Sequence, residues 1–372
     1  SCGKRHQLDI QEIALDKNCL GKASSFALGK TKAHAMVLCD ENTRKIAGED
    51  FKEKMSCVAK TSLHVIPSRN GNDVVPDDCT LGELMVNMDP DIDFFVAVGS
   101  GVVNDLTRQA SYRTGKEYMV YATAPSMDGY ASMTSSLIIN HVKKSLTGQL
   151  PAGIFADTNI LRNAPGEMIT AGFGDVIGKY NALREWDFAR KYKQEHYCET
   201  IVTLVQQAVF QCEKQAGAIR KREEEAVLGL MEALILSGMA MGLNGNTRPA
   251  SGAEHHVVHY WDVDCIRRGV EHPLHGNAVG VGTLVICHLY ELLEKYFPVE
   301  VMKLDSGKIK QSMQEAGCAT SPLHLGISRE LLKESILLGH TMSDKFTVLT
   351  YFSKENPPLL EWAAEKICEI FY

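Results

Sequence analysis

Hydrophobic positions in the first 160 residues come in short runs that end in turn residues. "KAHAMVLCD" (32–40), "TSLHVIP" (61–67), "DFFVAVGSG" (93–101), "EYMVYATAP" (117–125) and "AGIFADT" (152–158) each read as a strand. Between them, "AGEDFKEKM" (47–55) and "VNDLTRQASYRTG" (103–115) space their apolar residues as helices do. That alternation predicts a parallel sheet with helices on its faces, and "SSLIIN" (135–140) is a candidate for one more strand of it. Near residue 160 the period changes to 3.6. The segment 163–197, beginning "NAPGEMITAGFGDVIGKY", reads as a helix with Asn163 as its N-cap. Residues 199–243 and 279–297 repeat this texture, and no convincing strand follows. The pattern therefore predicts an α/β domain over residues 1–162 and an all-α domain over 163–372. The longest apolar stretch, 226–243, carries Glu232 and reads as a buried helix, not a membrane span.

Composition narrows the partners. A 372-residue chain with 45% hydrophobic and 23% charged residues can bury substantial cores. A net charge of −7, with no Lys/Arg block, argues against a nucleic-acid surface. Eleven cysteines are scattered without a CxxC pair, which is the usage of a reducing compartment. The first residues are broken by charges and hold no apolar core of a leader. The expectation is a soluble, cytoplasmic protein with no membrane insertion.

Three stretches carry candidate chemistry. "VAVGSGVVNDLTR" (96–108) is strand, glycine turn, helix. Such a turn lets backbone amides meet a pyrophosphate, although Asn104 stands at the third glycine position of the usual fingerprint and a purely structural turn reads the same way. Asp40, ending its strand, can accept from an adenosine ribose, which favours NAD over NADP; it can equally cap the next turn. "YATAPSMDGYAS" (121–132) is a second strand end, crowded with small and hydroxylated residues. The third stretch is "SGAEHHVVHYWD" (251–262) followed by "EHPLHG" (271–276), which holds five of the thirteen histidines. His255 and His259, four apart on a helix, share a face, and His275 adds an imidazole at a loop-to-helix junction. Asp175, behind two glycines, supplies a carboxylate. One acid and two imidazoles are the make-up of a catalytic divalent-metal site, although satisfied core polar groups read the same way; His256 and His272 read as surface residues.

"GSGVVND", "TAPSMDGYAS", "GFGDVIGKY", "SGAEHHVVH" and "LHGNAVGVGTL", taken together over roughly residues 30–300, resemble the sn-glycerol-1-phosphate dehydrogenases, the bacterial branch above all. These sit within a wider group of glycerol dehydrogenases, iron-type alcohol dehydrogenases and 3-dehydroquinate synthases. The resemblance implies a Rossmann-like N-terminal domain and a helical C-terminal one, as in the dehydroquinate-synthase-like fold. It implies metal ligation by Asp175, His255 and His275, with zinc, nickel or iron as the ion, and catalytic roles for Asp175 and His259. Substrate would meet Asp128, Asp175 and His259. The cofactor, NAD(H) before NADP(H), would lie along Asp40, Gly101, Val102, Val103, Asn104, Asp105, Thr123, Ala124, Pro125, Ser126 and Ser132. Where iron-type enzymes place a further histidine ligand, this chain has Lys179, a cation suited to a phosphorylated substrate. The implied reaction is reversible reduction of dihydroxyacetone phosphate by a homodimer. Glycerol dehydrogenase and dehydroquinate-synthase-like cyclase are the alternatives.

Overall fold

A computed structural model describes residues 2–3, 5–69 and 73–372. It contains two compact units: a sheet unit, Leu8–Pro165 with Arg222–Ile235, and a helical unit, Ser1–Gln7 with Gly166–Lys221 and Leu236–Tyr372.

The strands of the sheet unit are β1 (Glu12–Asp16), β2 (His34–Asp40), β3 (Lys60–Ile66), β4 (Phe94–Gly99), β5 (Glu117–Ala122), β6 (Thr134–Ile139), β7 (Val142–Thr147) and β8 (Gly153–Asp157). Six of them form one sheet in the order β1-β8-β5-β4-β2-β3, with every pairing parallel. Leu38 of β2, one strand in from the edge, pairs with His64 on one side and Ala97 on the other. β4 is buried along its whole length, as the unbroken apolar run "FFVAVG" requires of a central parallel strand. The helices of eight residues or more here are α1 (Leu20–Lys30), α2 (Glu49–Ser56), α3 (Asp78–Val86) and α4 (Gly101–Thr114). Ala23 and Ala27 of α1 and Phe51 and Met55 of α2 share a core with Ala35, Val37, Phe94, Val96 and Val98 of the sheet.

The run 135–140 is a strand, but it does not join this sheet. β6 pairs antiparallel with β7 as a separate hairpin. Asn140 and His141 at its tip have φ of 50° and 60°, the left-handed pair that a tight two-residue hairpin turn demands. Local turn geometry therefore gives β6 its own neighbour as partner.

The helical unit follows with α5 (Gly166–Lys193), α6 (Glu199–Lys214), α7 (Glu224–Asn244, whose first half is counted with the sheet unit), α8 (Ala253–Arg268), α9 (His275–Leu293), α10 (Ser306–Ala316), α11 (Arg329–Leu338), α12 (Val348–Glu355) and α13 (Pro357–Phe371). No strand follows β8 among the described residues. Asn163 does not cap α5. It ends the short helix Thr158–Asn163, and its side chain donates back to the Asn159 carbonyl at 2.8 Å. Ala164 is extended ahead of Pro165, as a residue before proline prefers, so α5 begins only at Gly166. α8, α9 and α11–α13 pack around Trp261, Ile286, Leu332, Phe352 and Ile367. The segments 224–244 and 275–296 are long and apolar enough to cross a membrane, yet 56% and 78% of those windows are buried inside the protein.

Candidate functional site

Glycines decide how closely α5 and α9 approach. A Cβ on Gly276 would stand 1.9 Å from the Ala171 carbonyl oxygen, and one on Gly174 would stand 2.3 Å from that of Gly276. Backbone meets backbone here, which only glycine allows. The residues beside these glycines are Asp175 and His275, so the close crossing brings carboxylate and imidazole together. α8 contributes His255. Donor atoms of Asp175, His255 and His275 all lie within 4.8 Å of one another. The rings of His255 and His275 are 5.2 Å apart, and His259 stands 6.2 Å and 6.1 Å from them. Asp175 is wholly buried, His255 is buried, and His275 and His259 are half-buried. One carboxylate and two imidazoles at this spacing fit a single divalent cation.

The surroundings hold this set in place. Glu254, fully buried, accepts at Oε1 from the Gly252 amide and from Nδ1 of His255, each at 2.7 Å. An Nδ1–H engaged in this way leaves the lone pair of His255 on Nε2, the form that binds metals. Burial pushes the pKa of Glu254 up, while the backbone donors and the Lys345 charge draw it down. The Lys345 ammonium binds Thr247 Oγ1 at 2.8 Å and the Ser251 carbonyl and hydroxyl at 3.0 and 2.7 Å, fixing the loop that enters α8. Lys179, one turn after Asp175, is also buried, and its ammonium sits 2.5 Å from Asp175 Oδ1. His259 lies 3.8 Å from the buried carboxylate of Asp262.

Two histidines were expected at the surface. His272 is exposed, but His256 is not. Its neighbour in sequence, His255, turns toward the cluster, and one residue's rotation along α8 carries His256 into the interior. Burial there holds its pKa well below the usual imidazole value.

In the sheet unit, the strand order sets β2 and β4 side by side, with β3 outside one and β5 and β8 beyond the other. Ligands of open parallel sheets bind at the carboxyl ends of such a switch point. Asp40 ends β2, and Ser100 and Gly101 open α4 directly after β4. The amides of that first turn suit a pyrophosphate. Asp40 is also a cap: Oδ1 accepts from the Thr43 amide and hydroxyl at 2.7 and 2.8 Å. Val103 and Asn104 are buried, Gly101 and Val102 half-buried, and Asp105 is tied to Arg108 at 2.7 Å and to the Ser136 amide at 2.9 Å. Thr123, Ala124, Pro125 and Ser126 line the end of β5, with the Ala124 carbonyl accepting from Tyr130 at 2.6 Å. Asp128 is half-buried in the loop that follows, and Ser132 Oγ accepts from the Thr134 amide at 3.0 Å.

Sequence reasoning passed over Arg108, Glu254 and Asp262. Arg108, wholly buried, donates to the Gly129 carbonyl at 2.6 Å, the Thr134 carbonyl at 2.8 Å and the Tyr118 hydroxyl at 2.9 Å, pinning the 129–134 loop to α4. The available signal was a charge on the apolar face of a helix, since a buried ion must have partners.

Comparison with known proteins gives three findings. A family described as iron-containing alcohol dehydrogenase matches residues 14–165. NAD(P)+ glycerol-1-phosphate dehydrogenases of Halalkalibacterium halodurans and Bacillus velezensis are 31% and 32% identical, over 94% and 95% of this chain and 94% of each relative. The crystal structure of glycerol dehydrogenase from Schizosaccharomyces pombe superposes with a TM-score of 0.76 at 18% identity, covering 98% of this chain and 91% of that one.

Proposed function

The chain belongs to the glycerol-1-phosphate dehydrogenase family, and on that footing we propose that it reversibly reduces dihydroxyacetone phosphate to sn-glycerol 1-phosphate with NAD(P)H and a divalent metal. The observation that carries this reading is the convergence of Asp175, His255 and His275 in one buried cluster. Those three side chains would hold the cation, with Glu254 positioning the His255 ring. When bound, the cation supplies Lewis-acid polarisation of the C2 carbonyl and the reduced nicotinamide supplies the hydride. His259 delivers the proton to the C2 oxygen and takes it back in reverse, because an imidazole ring can both donate and accept a proton. Asp262 positions His259. Asp128 joins the substrate contacts.

Lys179 gives the site its preference. Asp175 carries one negative charge and cannot neutralise both a dication and the ammonium on its Oδ1. The set is left net positive, which favours a substrate carrying phosphate. The cofactor follows Asp40, Gly101 through Asp105, Thr123 through Ser126, and Ser132, with NADH preferred. Zinc, nickel or iron each suit the donor set. The working form is a cytoplasmic homodimer; its eleven cysteines form no disulfide among the described residues, in keeping with a reducing compartment.

An NADH-oxidation assay comparing dihydroxyacetone phosphate with dihydroxyacetone tests the reading. The phosphorylated ketone should lead by about a hundredfold or more in kcat/KM. Lys179→Met should erode that lead more than it slows the unphosphorylated ketone. Comparable rates on both ketones in the parent enzyme would replace this reading with glycerol dehydrogenase.

A further inference from the structure

A second set of metal-binding atoms lies at the N-terminal end of the helical unit. Cys2 Sγ is 2.9 Å from His6 Nε2, and Cys198 Sγ is 3.4 Å from the same nitrogen. The three donor atoms all lie within 4.8 Å of one another. His6 Nδ1 is 2.6 Å from the Leu243 carbonyl at the end of α7, so it is Nδ1 that carries the hydrogen. The Nε2 lone pair then points at both sulfurs. One lone pair can accept well from only one S–H, so two thiols compete for it. A cation ends the competition by replacing both thiol protons. Main-chain support is present too: His196 Nε2 is 3.2 Å from the Cys2 carbonyl oxygen. Cys198 is buried at the N-cap of α6, while Cys2 and His6 are half-buried and open to an entering ion.

We propose that Cys2, His6 and Cys198 form a second metal site that takes one zinc ion, with water in the fourth tetrahedral position. Binding converts two thiols to thiolates and releases two protons, with no change of oxidation state. The donor set separates it from the Asp175 cluster: two thiolates and an imidazole select a thiophilic ion, whereas a carboxylate and two imidazoles accept several divalent metals. The site fastens Cys2 and His6 to the start of α6 and the end of α7. Its free energy of binding therefore adds to the stability of those contacts. Its Nδ1–H···O=C contact is the outer-shell support a ligating histidine needs.

The test is metal content of the full chain, loaded with Zn2+ under reducing conditions and desalted. The parent should hold two zinc ions, Cys2→Ser one, His275→Ala one, and the double variant none. Cys198→Ser should match Cys2→Ser; because Cys198 is buried and can fail to fold, the half-buried Cys2 carries the decision. Loading with Co2+ gives an independent readout. The parent and His275→Ala should show thiolate-to-cobalt charge-transfer absorption, and Cys2→Ser should lack it. Only this site has sulfur ligands, so the band is decided separately from the fate of the Asp175 cluster. Zinc content unchanged by Cys2→Ser, absence of the thiolate band in the parent, or a Cys2–Cys198 disulfide in protein purified under reducing conditions would each overturn the proposal.

Discussion

Glu254 shows how much a single side chain outside the donor set can control. Its Oε1 receives two N–H donors, and one of them fixes which nitrogen of His255 faces the cluster. Glu254→Gln keeps the shape but weakens the acceptor and can present an N–H to the imidazole. Metal affinity should fall about 10- to 100-fold, the usual cost of losing such a partner, with the circular dichroism spectrum unchanged. Retained affinity, measured by competition with a chelator, would show that Glu254 does not orient His255. Asp40 calls for a more careful substitution. Because Oδ1 caps Thr43, removal of the whole side chain would mix a capping loss of about 1 kcal/mol with any cofactor effect. Asp40→Asn keeps a capping oxygen and removes the charge. The kcat/KM ratio of NADH to NADPH should narrow severalfold, and an unchanged ratio would take Asp40 out of the cofactor site.

Helices α5 and α9 make the convergence of Asp175 and His275 possible by touching through glycine. Gly276→Ala would place a methyl group 1.9 Å from the Ala171 carbonyl oxygen, a clash relieved only by parting the helices. Overpacking of this kind costs about 1–3 kcal/mol, and here it also moves His275 away from Asp175. The variant should lose metal affinity together with thermal stability, whereas His275→Ala should lose metal alone. Equal metal binding in Gly276→Ala and parent would mean that the crossing does not set the donor spacing. At this scale all five apolar runs were legible as strands of the parallel sheet: β2, β4, β5 and β8 are buried almost throughout, and β3, half-buried at the edge, keeps enough apolar residues to read as one. β1, "EIALD", is a short edge strand with only Ala14 buried, and β7, "VKKSLT", is largely exposed, so neither has a strong pattern. That Asp175, His255 and His275 converge was legible from the five quoted motifs taken together, since the histidine pair alone is a weak signal. Arg108 and Glu254 were not, since what they do depends on partners 21 to 26 residues away, or on an adjacent ring whose direction only the fold reveals.

At the scale of the whole chain, the helical unit hides a network of charges whose titration should govern its response to pH. Glu185 on α5 is wholly buried, accepts from the Val348 amide at 2.9 Å, and is surrounded by Arg184, Arg248, Glu254 and Tyr290. Burial, helped by the Glu254 charge and opposed by the Val348 amide and the two arginines, pushes its pKa up to about 8 from 4.5. Between those values the folded state holds a proton that the unfolded state has released. Stability from Glu185 is therefore complete below about pH 4.5 and drains away as pH rises through about 8. Lys345 behaves in the opposite sense, and elsewhere. Burial lowers its pKa to about 8 from 10.5, so its contribution grows with pH above about 8 and leaves the acid side to Glu185. Glu185→Gln preserves an acceptor for the Val348 amide and abolishes the titration. All three tryptophans, Trp186, Trp261 and Trp362, lie in the helical unit, so a fluorescence-detected melt follows that unit. The parent and Glu185→Gln should melt alike at pH 5, and the variant should hold its Tm as pH is raised to 8 while the parent falls behind by several degrees. Parallel Tm profiles across that range would show that Glu185 is ionised in the folded protein and that its buried charge is fully met by Arg184 and Arg248.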